Sequence, residues 1–170
     1  MTVIIIEGPD LSGKTFAIEK IAKKLNSGFV LKNSFKPKTV EDSCSLYAHY
    51  LDILTLVTNR KDIVILDRFY PSQAVYSYKR GKDEMHSSEI KAIDIVCKRE
   101  GVLYIYLDTT LDILEHRYRE RGDEHITIEE LKKIKERYDE FYLQTSLTKT
   151  KLNTLELDWL EKIVGWINEY

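Results

Sequence analysis

The run Val3-Ile4-Ile5-Ile6 and the stretch that follows it, EGPDLSGKTF at residues 7–16, decide the fold. The first is short, apolar and β-branched, the composition of a strand buried on both faces. The second contains Gly8-Pro9-Asp10-Leu11-Ser12-Gly13-Lys14-Thr15, which satisfies GxxxxGK[ST] at every position. The spacing has a physical reason. Backbone N–H groups of the loop and of the following helix N-terminus converge on phosphate oxygens, and the glycines permit that approach. Lys14 places a positive charge on the β- and γ-phosphates, and the Thr15 hydroxyl is a ligand for Mg²⁺. From Phe16 onward the apolar residues Ile18, Ile21, Ala22 and Leu25 recur at helical spacing. Strand, glycine loop and helix in that order predict a phosphate-binding loop.

Outward from this loop the chain alternates strands and helices. Strands are expected at 2–7, 29–31, 62–66 and 101–107, and a last one at 152–157. Helices are expected at 13–26, 42–58, 87–100, about 110–121, about 127–147 and 158–169, with a short helix after residue 67. Thr127-Ile128-Glu129-Glu130 has capping-box form. Apolar strands between helices predict a P-loop NTPase-type α/β fold, a parallel sheet of about five strands with helices on both faces. No repeat, linker or low-complexity tract divides residues 1–170, so a single domain is expected.

Bulk properties narrow the function. The chain has 170 residues, 43% hydrophobic and 32% charged, with a net charge of −2. That balance argues against general attraction to nucleic acid or to an anionic membrane. No apolar run approaches a membrane span and no leader pattern opens the chain, so a cytoplasmic protein is expected. Cys44 and Cys97 are isolated, which suggests neither a disulfide framework nor a zinc site. Thr58–Asp62 (TNRKD) is superficially similar to the guanine-reading NKxD of GTPases. It has Arg60 in place of the lysine and precedes a strand instead of following one, which excludes a GTPase.

A second acid is expected at the end of a neighbouring strand, where it helps hold Mg²⁺. Asp67 and Asp108 both close apolar strands. Asp67 is favoured because Arg68 follows it, placing an arginine for a second phosphate beside an acid for the metal.

Four segments resemble the thymidylate kinase family of P-loop nucleoside monophosphate kinases. They are IIIEGPDLSGKT, ILDRFYPSQAVY, YLDTTLDILEHRYRERGDE and LKKIKERYDEFY, in the family's order between residue 3 and about residue 142. The resemblance implies ATP and Mg²⁺ as co-substrates and a deoxynucleoside 5′-monophosphate, dTMP or a relative, as phosphoryl acceptor. It implies an ATP-binding loop of Gly8, Asp10, Leu11, Ser12, Gly13, Lys14, Thr15 and Phe16, with Thr15 and Asp67 at the metal. Asp10 matches an aspartate on the acceptor sugar and Arg68 an arginine on the acceptor phosphate; Ser72, Tyr76 and Ser77 match the base and sugar pocket. Arg117, Arg119 and Arg121 match arginines of a lid at about 117–126, closing on the transferring group. A spacing of two spreads these three around a helix, so Arg117 and Arg121, four apart, are favoured over Arg119. Lys14, Arg68, Arg117 and Arg121 are thus the expected catalytic residues. A homodimer is also compatible with the resemblance.

The chain departs from the family pattern in three places. Leu11 stands where some members have a loop arginine, so arginine must come from the lid. The stretch at 33–38 offers only Lys36 and Lys38 for the acceptor phosphate. The helix segment SLYAHYLDIL at 45–54 lacks the arginine that reads thymine, leaving Tyr47, His49 and Tyr50 either to meet the base or to serve as core and rim residues. Base preference is open on this reading, and compactness points to a phage or mobile-element source. The competing functions are a deoxynucleoside kinase acting on the 5′-hydroxyl and a non-catalytic nucleotide-binding module.

Overall fold

The computed structural model describes residues 2–27, 29–32, 40–77, 87–122 and 126–170, with side chains in the second helix described from residue 46. Five strands form one parallel sheet: β1 (Val3–Glu7), β2 (Phe29–Lys32), β3 (Val64–Asp67), β4 (Leu103–Leu107) and β5 (Thr148–Leu152). Their spatial order is β2-β3-β1-β4-β5. Seven helices are described: α1 (Lys14–Lys24), α2 (Val40–Thr58), α3 (Tyr70–Tyr76), α4 (Ser87–Arg99), α5 (Leu111–Arg121), α6 (Ile128–Gln144) and α7 (Trp159–Asn168). This is the α/β architecture expected from the alternation of apolar runs and helical spacing.

β1 is central, paired with β3 on one side and β4 on the other, and all five of its residues are buried. Its side chains alternate between two cores. Val3 and Ile5 point to the layer filled by α2, α3, α4, α5 and α6, whereas Ile4 and Ile6 meet α1 and α7. Each such aliphatic side chain removed from water contributes about 1.5–3 kcal/mol. Period-two alternation then sends Glu7 into the first of these layers, a carboxylate where the pattern places an apolar residue.

The last strand lies earlier than expected. Residues 152–157 were the apolar candidate, but β5 is Thr148–Leu152 (TKTKL), an edge strand with only Leu152 buried. An edge strand needs little apolar surface, so hydrophobicity placed it wrongly. The other elements match their expected ranges within a few residues, and the capping box at Thr127 and Glu130 is present in both directions. Trp159 packs in the core beside α1, and Trp166 lies against the same cluster. No helix among the described residues is long and apolar enough to cross a membrane.

Asp94 on α4 is the polar tie of the larger layer. It accepts hydrogen bonds from Tyr70 Oη (2.6 Å), Ser146 N (2.8 Å), Ser146 Oγ and Thr145 Oγ1, joining α3, α4 and the turn into β5. Burial pushes its carboxyl up, but the bonds from Ser146, Thr145 and Tyr70 outweigh this and hold it below the ordinary value of 3.8. Asp94→Ala orphans several buried donors and is expected to cost about 2–4 kcal/mol in urea unfolding. Because the folded carboxyl is depressed, this contribution is complete above the unfolded value and declines as pH falls through the folded one. The gap between wild type and variant should therefore narrow in acid.

Candidate functional site

The loop between β1 and α1 is folded around its own lysine. Lys14 Nζ donates to the carbonyls of Gly8 (2.7 Å) and Pro9 (2.8 Å). Gly8 lies so close to β4 that an added Cβ would meet Leu107 Cβ at 3.0 Å. Thr109 Oγ1, just beyond β4, donates to the carbonyl of Ser12 at 3.2 Å and fixes the loop from that side. Gly13 adopts φ 91° at the entry to α1, and Leu11 adopts φ 64°, a left-handed conformation uncommon for a side chain of its size. Ser12 Oγ is buried without a hydrogen-bond partner among the described residues, inside a loop otherwise held by backbone contacts.

A cavity of about 810 Å³ opens over this loop. It is lined by Asp10, Leu11, Ser12, Gly13, Lys14, Thr15 and Phe16, and by Asp67 and Arg68 from the end of β3. Arg117 and Arg121 on α5 complete one wall. Arg117 Nη1 donates to the Leu11 carbonyl at 2.7 Å, so this arginine bridges α5 to the loop. Arg119 turns away and pairs with Glu115 at 3.2 Å on the exposed face of α5. α5 ends at Gly122, whose φ is 65°; residues 123–125 of the expected lid lie outside the described residues.

Arg68 follows β3 in a left-handed conformation, φ 68°. Its guanidinium donates to Asp10 (2.6 Å), Tyr138 Oη (3.2 Å), Ser72 Oγ (3.3 Å) and Tyr76 Oη (3.4 Å). Asp10 also accepts from Tyr76 Oη at 2.8 Å. Burial pushes the Asp10 carboxyl up, but the charges of Arg68 and Lys14 and the Tyr76 bond prevail and keep it below its ordinary value. Behind this pair Glu7 is wholly buried and accepts from Phe69 N, Ser72 N, Ser72 Oγ and Tyr138 Oη. Burial raises its carboxyl above the usual range, and the Arg68 charge and these hydrogen bonds offset part of the rise. Lys14 is pushed down to about 7, first by burial and then by the neighbouring Arg68 charge.

The two strand-end aspartates have different surroundings. Asp67 lines the cavity. Asp108 is held by Lys135 (2.8 Å) and Lys151 (2.7 Å), in a network that also includes Asp139.

Of the residues expected at the acceptor base, Tyr47 is half-buried at the edge of the larger core. Tyr50 does not face the cavity. It is 1% exposed and stands edge-on to Phe69 at 4.7 Å, so packing against the turn after β3 takes the ring into the core, one of the two roles left open for it. Ser77 caps the end of α3 and receives a hydrogen bond from Arg137 at 2.9 Å. Lys36 and Lys38 lie outside the described residues.

Sequence reading missed four contributors. Thr154 and Leu155 line the cavity from the loop after β5, and the misplaced last strand had hidden them. Glu7 and Tyr138 sat in apolar patterns and read as strand end and core stripe. For Glu7, a signal was available: a carboxylate on the buried phase of an otherwise apolar strand needs a partner.

No family model matches the chain. The SPbeta prophage-derived protein YorR of Bacillus subtilis strain 168 is 31% identical over 143 residues, which cover 82% of this chain and 81% of YorR. The crystal structure of YorR in complex with phosphorylated GDP matches at a TM-score of 0.78 and 27% identity, covering 99% of this chain and 96% of that one. Deoxyadenosine kinase of M. mycoides, with the products dCMP and dCDP bound, matches at a TM-score of 0.66 and 18% identity over 99% of this chain and 100% of the kinase, a likeness of fold. The same enzyme with dATP gives 0.68 over 98% and 100%. The chain shares with these neighbours the fold of the P-loop nucleoside kinases, and by its sequence it belongs to the family of the prophage protein YorR.

Proposed function

We propose that the protein transfers the γ-phosphoryl group of ATP to a deoxynucleoside 5′-monophosphate, dTMP or a relative, in the manner of a thymidylate kinase. The observation that carries this reading is Arg68. It lines the cavity at the end of β3, with its guanidinium between Asp10 of the loop and the hydroxyls of Ser72 and Tyr76. An arginine fork held there matches a phosphate dianion, which a site for an uncharged acceptor does not need. The donor's phosphates would lie on the loop at Lys14 and Thr15, with Thr154 and Leu155 beyond them on the same wall. Phosphoryl transfer passes through a loose transition state with charge spread over three oxygens, so the chemistry asks for position and positive charge and no covalent nucleophile. Lys14, Arg68, Arg117 and Arg121 would supply that charge. Asp10 would take the acceptor sugar. The solved complex of the relative YorR with phosphorylated GDP supports a nucleotide in this fold and leaves the base a matter for experiment.

The site suits Mg²⁺ held chiefly by its substrates. Thr15 and Asp67 line the cavity as one hydroxyl and one carboxylate, and no group of three or more His, Cys, Asp or Glu among the described residues forms a metal cage. Magnesium keeps waters and phosphate oxygens and needs few protein ligands, which fits that donor set. Bound there, it would neutralise charge on the bridging phosphate oxygens.

A second reading, transfer to the 5′-hydroxyl of a deoxynucleoside, is favoured by the 2.6 Å pair between Arg68 and Asp10. That pair balances the arginine's charge before any phosphate arrives, and a neutral acceptor would leave it intact.

Purified protein given ATP–Mg²⁺ and a panel of nucleosides and nucleoside 5′-monophosphates separates the readings. Diphosphate formation from a monophosphate is expected, and turnover confined to nucleosides overturns the first reading. Arg68→Ala should raise the acceptor KM roughly tenfold or more, the factor for one charge-assisted hydrogen bond, and leave the ATP KM nearly unchanged. Lys14→Ala should lower kcat on the order of a hundredfold or more. Burial and the neighbouring Arg68 charge push Lys14 down to about 7 in the free protein, and bound phosphates must raise it. ATP binding at pH 8 should therefore take up protons and weaken as pH rises further. Calorimetry in buffers of different ionisation enthalpy measures this; heats independent of buffer would remove Lys14 as the source.

A further inference from the structure

We propose that Glu7 is a positioning residue for the acceptor phosphate, setting the direction of hydrogen bonding that presents Arg68 to the cavity. The inference rests on the monophosphate acceptor proposed above.

Glu7 is 0% exposed at the end of the central strand, and its carboxylate receives four hydrogen bonds. Oε1 accepts from Phe69 N at 2.7 Å and Ser72 N at 3.2 Å. Oε2 accepts from Ser72 Oγ at 2.8 Å and Tyr138 Oη at 2.9 Å. These bonds fill the acceptor capacity of a carboxylate. The first pair holds the backbone immediately after Arg68, where φ is 68° and only local bonding can maintain a left-handed arginine. The second pair acts on polarity. An ionised carboxylate accepts and never donates, so the single protons of Ser72 and Tyr138 are drawn toward Glu7. Their lone pairs are left facing Arg68 Nη1, which donates to Tyr138 at 3.2 Å and Ser72 at 3.3 Å. Glu7, two hydroxyls 3.1 Å apart and the guanidinium thus form a relay in which both hydroxyls can donate to Glu7 and accept from Arg68. The other terminal nitrogen, Nη2, is directed to Asp10 at 2.6 Å, on the cavity side.

A glutamine at this position keeps the shape and reverses the relay. Its carbonyl can still serve the two backbone amides, but its NH₂ then faces the hydroxyls and turns their protons toward Arg68. The guanidinium loses two of its acceptors, leaving Asp10 and Tyr76 to hold it, and its presentation to the cavity shifts.

The test compares wild type, Glu7→Gln, Arg68→Ala and the double variant, measuring KM for ATP and for the monophosphate that the wild type phosphorylates best. Glu7→Gln is expected to raise the acceptor KM roughly tenfold, leave the ATP KM within about twofold, and add nothing to the acceptor KM on the Arg68→Ala background. A buried carboxylate with a purely structural role would instead act on both substrates and add to Arg68→Ala, and that result overturns the proposal. Tyr138→Phe removes one hydroxyl at nearly constant volume, so it reads the same relay should Glu7→Gln not fold; it should raise the acceptor KM about threefold, and an unchanged value overturns the proposal. Wild-type protein that phosphorylates no monophosphate overturns the functional reading itself, whereas active wild type with an unaltered Glu7→Gln acceptor KM overturns the Glu7 role alone.

Discussion

The arrangement depends on where β1 ends. A parallel strand paired on both edges and buried on both faces has no surface along its length, so its polar chemistry must gather at its terminus. At the C-terminal end of β1 the backbone turns tightly under Leu107, closes on the Lys14 ammonium and hands its next amides to α1. Position Glu7 and the loop belong to one continuous stretch of chain. Any displacement of β1 would therefore move the loop at residues 8–15 and the carboxylate behind Arg68 together.

Charge balance follows from that crowding. Asp10 and Asp67 meet Lys14 and Arg68 at the cavity, with Glu7 buried behind them, three acids against two bases. In such a setting the cost of burial falls on whichever group is least well paired. Glu7 rises with burial despite four hydrogen bonds, Asp10 falls because the Arg68 and Lys14 charges overcome its burial, and Lys14 drops because it is buried with a second cation near it. Two non-glycine residues with positive φ, Leu11 and Arg68, flank the same cavity, where local strain is tolerated because the surrounding bonds over-determine the backbone.

Much of this was legible in the sequence, and the legible part has a common cause. A phosphate-binding loop is made mainly of backbone, so its requirements reduce to glycines and one lysine at fixed spacing, and 8–15 shows them. The divergence of Arg117 and Arg119 followed from helical geometry alone: the first reaches Leu11, the second pairs with Glu115. What hid was whatever a tertiary neighbour decides. β5 is polar because it sits at an edge, so Thr154 and Leu155 went unseen at the cavity. Tyr50 went to the core because Phe69 receives its ring, a partner nineteen residues away in sequence. Tyr138 read as core by its spacing and is core by burial, yet its hydroxyl serves Glu7 and Arg68, which no periodicity can announce.

The two strand-end aspartates show how far position alone can be trusted. Asp67 and Asp108 each close an apolar parallel strand beside β1, at the end of the sheet where α/β folds place their ligands. Sequence position makes them equivalent. The neighbours separate them: Asp108 faces the edge strand and α6, where Lys151 and Lys135 neutralise it, and its carboxyl falls as those bonds overcome burial. Asp67 has the loop on its other side and shares the cavity with Thr15 and Lys14. An acid already paired with two lysines would surrender both to bind a cation, whereas one beside an open hydroxyl has less to lose. Arg68 beside Asp67 is the sequence feature that separates the two positions; in the structure it is the pair of lysines on Asp108.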